Sequence, residues 1–89
     1  DPELTLPLLE KLKDDPEIYV RRSVANHLGD IGKENLPVLL ETCKRWLEEV
    51  TRAKDLNRIK QRKWVIRHAL RHPAKKGNSD ALKLREAAA

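Results

Sequence analysis

Side chains suited to anion binding recur at matching helical spacings in two stretches of the sequence. The stretches are YVRRSVANHLGDIGKE, residues 19–34, and WVIRHALRHPAKKG, residues 64–77. In each, an aromatic residue is followed three and seven residues later by guanidinium or amide groups, which places all of them on one helical face. Guanidinium groups bind phosphate oxygens through paired hydrogen bonds and stay charged at any accessible pH. The corresponding positions are Tyr19 and Trp64, Arg22 and Arg67, and Asn26 and Arg71.

Further charged residues border this predicted phosphate-binding face. Arg21 flanks the apolar stripe of its helix, Lys33 follows on the polar side, and Lys75 occupies the position that corresponds to Asp30. Asp30 has two interpretations, a catalytic carboxylate or a partner of nearby polar side chains; the second is favoured because no companion carboxylate is visible. Two roles fit Asn26 equally well, contact with a phosphate-bearing ligand or a hydrogen bond to a carbonyl in a neighbouring turn.

Other reactive residue types in the sequence have simpler interpretations. His68 and His72 have the spacing of a metal pair, but they lack the glutamate of a zinc-protease motif and a third ligand, so no metal site is predicted. Cys43 and Trp46 share one apolar helical stripe and are predicted to lie in the core. Trp64 is balanced between core packing and contact with a ligand.

Positive charge is concentrated in the second half of the chain. Residues 1–50 contain seven Lys and Arg and eleven Asp and Glu, whereas residues 51–89 contain twelve and three. This asymmetry fits a polyanionic partner, and a solvated basic surface fits it equally well. No apolar run approaches the ~20 residues of a membrane span, and the one cysteine suits a reducing compartment. We therefore expect a cytoplasmic protein with no membrane partner.

Capping residues, prolines and glycines predict five helices. Segment 51–62 is basic and is predicted to be either an extension of the fourth helix or a loop. The boundary signals are Thr5 as the first cap, Asp15 with Pro16 and a stop at Gly32 for the second helix, Asn35 as the third cap, residues 62–72 ending at Pro73 for the fourth, and Ser79 or Asp80 as the fifth cap.

These helices form an internal repeat of two-helix units. Residues 6–9, LPLL, recur as residues 36–39, LPVL. Such units indicate an all-α, HEAT-like helical repeat, in which each unit buries its apolar face against its neighbours. The predicted units are 5–32 and 35–77, with the insertion 51–62 and a further helix at 79–89, as part of a longer array. The stripe predicted to be buried in the second helix is Val20, Val24, His27, Leu28 and Ile31.

The two long motifs, with RW at 45–46 and SDALKL at 79–84, resemble the DNA alkylation repair family of HEAT-like-repeat DNA glycosylases (AlkC/AlkD type). The resemblance covers most of the chain apart from residues 51–62. It implies a solenoid that cradles duplex DNA in a basic concave groove and excises N3- and N7-alkylated purines by hydrolysing the N-glycosidic bond. In this family an acidic residue stabilises the sugar cation and positions water. No cofactor is expected, because the alkylated base is already a good leaving group.

Matching this chain to the family motifs suggests roles for individual residues. Asp30 matches an acidic position of the family, although Gly29 before it is often asparagine in relatives, and the main carboxylate is expected upstream of Asp1. The expected partner is duplex DNA carrying alkylated bases, bound by a monomeric full-length protein. The residues expected to bind DNA are Arg21, Arg22, Asn26, Lys33, Trp64, Arg67, Arg71 and Lys75.

Two other functions fit the same sequence. A non-catalytic HEAT-repeat module would bind nucleic acid without releasing a base. A protein-interaction scaffold would bind another protein and no nucleic acid. The glycosylase and the non-catalytic module both predict a duplex affinity that falls steeply with salt, and the scaffold does not. Release of an alkylated purine separates the glycosylase from the non-catalytic module.

Overall fold

Five α-helices joined by short connections make up residues 2–89. The structure is a computed structural model that describes residues 2–89, with side chains from residue 4 onward. The helices are α1 (Pro2–Leu12), α2 (Ile18–Glu34), α3 (Leu36–Thr51), α4 (Leu56–Lys75) and α5 (Ser79–Ala87). No strand occurs within this range. The predicted all-α class is confirmed.

The helices pack as two successive pairs and one further helix. α1 packs on α2, α3 packs on α4, and α5 lies against both α3 and α4. The most extensive contact is between α2 and α4, the second helices of the two pairs. They run in the same direction, because Ile18 lies across a cleft from Trp64, whereas Lys33 lies near His72. Stacked pairs with parallel second helices are the packing of a HEAT-like helical repeat.

One apolar core joins the two pairs. Cys43 and Trp46 are fully buried in it, as predicted, and burial raises the pKa of the Cys43 thiol to about 12. His27 was predicted to be buried, but this is wrong: its ring is exposed, with Nδ1 2.8 Å from the carbonyl oxygen of Ser23. The buried face of α2 is rotated because the helix packs on both α3 and α4. That face consists of Arg21, Val24, Ala25, Leu28 and Gly32.

The first two helices differ from their predicted bounds. α1 begins before Thr5 and contains Pro7, which removes only one backbone hydrogen bond so close to the helix start. Asp15 accepts a hydrogen bond from the Glu17 N–H at 2.9 Å, so the chain turns first and α2 begins only at Ile18.

Gly32 does not end α2, which continues to Glu34. A Cβ on Gly32 would overlap the side chain of Leu39, which is itself fully buried in α3. The missing side chain at this position therefore permits close packing of α2 on α3. Asn35 follows as the cap of α3, as predicted, and accepts a hydrogen bond from the Val38 N–H at 3.3 Å.

Most of the basic segment 51–62 is the first part of α4. Asp55 caps this helix by accepting hydrogen bonds from the backbone N–H groups of Asn57 at 3.0 Å and Arg58 at 3.2 Å. Of the two predictions for this segment, the helix extension is confirmed. Only residues 52–55 connect α3 to α4.

The end of α4 lies two residues beyond the predicted stop at Pro73. Pro73 has no N–H for the carbonyl of Ala69, but this costs a single hydrogen bond in the last turn, and the helix continues to Lys75. Gly77 follows with φ +85°, a conformation that favours glycine. α5 is capped by Asn78, which accepts from the Ala81 N–H at 2.9 Å, and not by Ser79 or Asp80.

Candidate nucleic-acid interface

Most of the side chains predicted to bind phosphate lie along the contact between α2 and α4. Of the four charged residues singled out in the α2 motif, Arg22, Asp30 and Lys33 lie there and Arg21 does not, and they meet Arg71 and Lys75 of α4. We call this surface the α2–α4 face. It is defined by Arg22, Asn26, Asp30, Lys33, Trp64, His68, Arg71, His72 and Lys75.

Asn26 connects the two helices of this face. Its Oδ1 lies 3.0 Å from His68 Nε2 and 3.3 Å from Arg71 Nη2. Arginine can only donate, so the amide oxygen must face it, and the same oxygen then accepts a hydrogen from His68 Nε2. Arg71 also donates through Nη1 to the His68 carbonyl at 2.8 Å. The sequence analysis considered DNA or a carbonyl of a neighbouring turn as the partner of Asn26, whereas its partners in the structure are the side chains of His68 and Arg71.

Trp64 and His68 stack on each other one helical turn apart. Their ring centroids are 4.9 Å apart and the ring planes differ by 9°. Trp64 is half-buried and packs against the core, so it contributes to packing while its indole holds the imidazole in place. Of the two roles considered for Trp64, core packing is confirmed, and contact with a ligand stays a prediction.

The histidines of the face lie in a positively charged environment. Desolvation, together with the charges of Arg71, Arg22 and Arg85, lowers the pKa of His68 below its usual 6.5. Desolvation and the charges of Lys76, Lys33, Arg71 and Lys75 lower the pKa of His72 in the same way. Besides desolvation, both shifts share one cause, because each imidazolium would add a positive charge beside the neighbouring cations. The positive charges of the α2–α4 face would therefore stabilise a bound anion.

Gly29 allows the two helices to approach closely in the middle of the face. A Cβ at this position would lie 3.3 Å from the carbonyl oxygen of Ala69. The remaining gap beside Asn26 and Arg71 has a volume of about 40 Å³. A gap of that size holds a water molecule and excludes a nucleobase. The α2–α4 face therefore contains no pocket large enough for a base at this point.

Arg21 does not belong to the face, contrary to prediction. It is 7% exposed, and its Nη1 donates to the carbonyl oxygens of Asp15 at 2.8 Å and Pro16 at 3.0 Å. These bonds hold the turn that precedes α2. A guanidinium buried in this way stabilises the fold and is not available to a phosphate.

Arg67 is directed towards α5 and away from Asn26. Its Nη1 donates to the carbonyl oxygen of Ala88 at 2.7 Å, and the side chain is half-buried. It lines a cleft with Trp64 and Lys60 beside the start of α2. Of the predicted DNA contacts, Arg67 is therefore separated from the main group and has a role in attaching α5.

Asp30 and Lys33 form an ion pair at the end of the face nearest the C-terminus of α2. Asp30 Oδ1 lies 3.5 Å from Lys33 Nζ, and their side chains are 68% and 55% exposed. This contact is the partner role that the sequence analysis favoured for Asp30. An exposed pair of this kind contributes little to stability, so both groups are accessible to a ligand.

Two ion-pair networks that position the face had no signal in the sequence. Arg62 is buried and binds Asp14 through both carboxylate oxygens, with Nε 3.1 Å from Oδ1, and also donates to the Trp46 carbonyl at 3.1 Å. Glu10 accepts from Trp46 Nε1 at 2.6 Å and pairs with Arg45 at 2.7 Å. Both networks join the first helix pair to the second. They therefore help to fix α2 relative to α4.

The acid stability of the protein is expected to depend on Glu10. Burial raises its pKa, but hydrogen bonds from Arg45, Trp46 and Lys13 outweigh this and lower it from 4.5 to about 2. Because the folded-state pKa is the lower one, the carboxylate stabilises the protein above pH 4.5, and this contribution is lost as the pH falls towards 2. We expect the unfolding free energy of Glu10→Gln to fall less steeply over this interval than that of the original protein.

Urea denaturation measured between neutral pH and about pH 3 checks this expectation. Glu41→Gln, an exposed glutamate of α3, is the matched control and should retain the original pH dependence. If Glu10→Gln and the original protein lose stability in parallel, the inferred role of the Glu10 network is wrong.

In the part of the chain that the structure describes, no three His, Cys, Asp or Glu side chains are grouped so that they could hold a metal ion. None of the described helices combines the length and the apolar character that crossing a bilayer requires.

Comparison with known proteins finds a relative of much greater length. The chain is 39% identical over 84 residues to the uncharacterized protein YhaZ of Bacillus subtilis (strain 168), an alignment that covers 94% of this chain and 21% of that protein. The chain thus spans about a fifth of the length of the curated relative it matches. No family model and no solved structure matches the chain.

Proposed function

We propose that this segment binds the phosphate backbone of duplex DNA through the α2–α4 face, as part of a glycosylase that excises N3- or N7-alkylated purines. The observation that carries the proposal is the convergence of cationic groups from two parallel helices around Asn26. The sequence resemblance to DNA alkylation repair glycosylases supports the catalytic part.

Several cations of the face have no anionic partner within the described residues, which favours binding of an external anion. Arg22 and Lys75 form no ion pair with the residues that the structure describes. Arg71 is oriented by an amide oxygen and a backbone carbonyl, neither of which neutralises its charge. Phosphates bound by such groups release condensed counterions, which is the main driving force for binding to a DNA backbone.

Excision requires little of the protein beyond binding and one acidic group. Hydrolysis breaks the bond between sugar C1′ and the base nitrogen and forms a bond from C1′ to a water oxygen. The cationic base leaves as a neutral molecule, and the attacking water releases one proton to solvent. A carboxylate near C1′ stabilises the positive charge that develops on the sugar. Asp30 is the exposed carboxylate of the α2–α4 face and is the candidate here, acting with carboxylates elsewhere in a longer protein.

A release assay tests the catalytic part of the proposal. A protein of YhaZ length that carries this segment should release N3- or N7-methylpurine from alkylated duplex DNA. Asp30→Asn should slow release between about tenfold and 100-fold, because a charge-stabilising group is lost. Its affinity for unmodified duplex should be unchanged or slightly higher, since a negative charge has been removed. Glu34→Gln, at an exposed acidic position one turn further along α2, is the control.

A protein that binds duplex DNA but releases no alkylated base would contradict the glycosylase assignment. The remaining function would then be a non-catalytic HEAT-like module that binds nucleic acid. Binding to neither alkylated nor unmodified duplex would favour a protein-interaction scaffold.

A further inference from the structure

His68 lies where three helices bring positive charge together. The charged groups that act on it are Arg22 of α2, Arg71 of α4 and Arg85 of α5. The Nε of Arg85 is buried and has no hydrogen-bond partner among the described residues. Within the same residues, no carboxylate pairs with any of the three arginines. The cluster thus combines three guanidinium groups with no anion that balances them.

The contacts of His68 determine which of its nitrogens is protonated. Nε2 donates to Asn26 Oδ1 at 3.0 Å, as the orientation of Asn26 towards Arg71 requires. In the neutral imidazole Nδ1 is then the unprotonated nitrogen, and it makes no hydrogen bond to the described residues. Stacking on Trp64, with 4.9 Å between centroids, holds the ring in this position. A proton can therefore be added at Nδ1 without breaking the bond to Asn26.

We propose that this cluster is a phosphodiester-binding site, in which Arg22 and Arg71 bind the phosphate oxygens and His68 becomes protonated as the phosphate enters. The inference rests on the proposed function, because duplex DNA supplies the phosphodiester. The proton comes from solvent and is held at Nδ1, and no covalent bond forms or breaks. His68 thereby adds a fourth positive charge, beside the three guanidinium groups of the cluster, only when an anion is present.

Electrostatics explains the change in protonation. In the free protein, desolvation and the three arginines oppose a charge on His68, which lowers its pKa below 6.5. A bound phosphodiester carries one negative charge, offsets the arginines and raises the pKa again. Because binding then takes up a proton, affinity must increase as the pH falls through the interval between the free and bound pKa values.

The other histidines provide the background and the control for a test. His72 lies among Lys76, Lys33, Arg71 and Lys75, so it would respond to DNA as well and must be replaced first. His27 is exposed on α2 and bonds within its own helix to Ser23. The test therefore compares His72→Gln alone with the same protein that also carries His68→Gln or His27→Gln. Glutamine at position 68 retains a donor for Asn26.

Duplex affinity is measured by fluorescence anisotropy at constant ionic strength between about pH 7.5 and pH 5.5, where histidine titrates. We expect the His72→Gln protein to bind more tightly as the pH falls, by up to about tenfold per pH unit. Adding His68→Gln should remove most of this dependence, and adding His27→Gln should retain it. NMR should show the pKa of His68 rising when duplex is bound.

Other outcomes contradict either the inference about His68 or the proposed binding of DNA. If the pH dependence survives His68→Gln, or if duplex leaves the pKa of His68 unchanged, the inference is wrong while DNA binding stands. If no duplex binds, the proposed function is wrong, and the site is tested with inorganic phosphate against chloride at equal ionic strength. An unchanged His68 titration in phosphate then overturns the inference too, whereas a raised pKa retains the anion site without its DNA ligand.

Discussion

Asp14→Ala is expected to reduce the unfolding free energy by about 3 kcal/mol or more, because it leaves a buried guanidinium without its carboxylate. Arg62 is 6% exposed and binds both oxygens of Asp14. Its remaining partners are the Trp46 carbonyl and a longer contact of 3.4 Å to Glu49. A domain of this size has a total stability on the order of 5–10 kcal/mol, so the loss would be a large part of it.

Urea denaturation at neutral pH measures this loss, and a double variant identifies its cause. Asp14→Leu combined with Arg62→Met removes both charges and should recover much of the stability, because an apolar pair avoids the desolvation of two ions. Glu48→Ala, at an exposed position of α3, is the control and should change stability by less than about 0.5 kcal/mol. A loss for Asp14→Ala as small as that of the control would show that the ion pair does not hold the helix pairs together.

The helix-pair architecture could be predicted because its signals are local. Apolar spacing and the repeated LPLL and LPVL segments locate the pairs, and Asn35 caps α3 as its side-chain chemistry indicates. Some local signals were ambiguous. Asn78, Ser79 and Asp80 are three successive residues that can all cap a helix, and only the fold selects the first. Pro73 lies in the last turn of α4, where a proline costs only one backbone hydrogen bond, so it does not end the helix.

The same patterns could not predict which arginines are buried and which are exposed. Arg21 and Arg22 are adjacent and chemically identical, yet the first is buried against two carbonyls and the second is exposed. The difference depends on the shape of the turn before α2, which periodicity does not encode. Arg62 and Asp14 are 48 residues apart, so no local spacing links them. His68 was considered only as a metal ligand, because its stacking on Trp64 and its bond to Asn26 depend on tertiary packing.

Replacing Arg22 and Arg71 is expected to have the largest effect on DNA binding. Each single change to alanine should weaken duplex affinity about tenfold, as expected for the loss of one charge-assisted contact to phosphate. The double change should weaken it about 100-fold if the two contacts are independent. Neither side chain supports the core, since both are exposed, so the unfolding free energy should change little.

Arg52→Ala is the matched control for these variants. It removes the same charge from an exposed arginine that follows α3 and borders a groove with Glu48 and Glu49. Its duplex affinity should remain within about twofold of that of the original protein, because the removed charge lies outside the α2–α4 face and is screened by salt. Arg71→Lys provides a second comparison, since it keeps the charge but loses the planar fork that Asn26 orients. Equal losses for Arg52→Ala and Arg71→Ala would indicate non-specific attraction to a basic protein.

We expect the cations of the α2–α4 face to bind DNA phosphates, and the salt dependence of duplex affinity measures this binding. Three phosphate contacts, at Arg22, Arg71 and Lys75, predict a slope of about −2.7 in log affinity against log salt, or about a 40-fold loss between roughly 50 and 200 mM. Arg71→Ala should reduce the magnitude of this slope by about 1, whereas Arg52→Ala should leave it unchanged. An affinity that does not change with salt, or a slope that Arg71→Ala does not alter, would contradict this expectation.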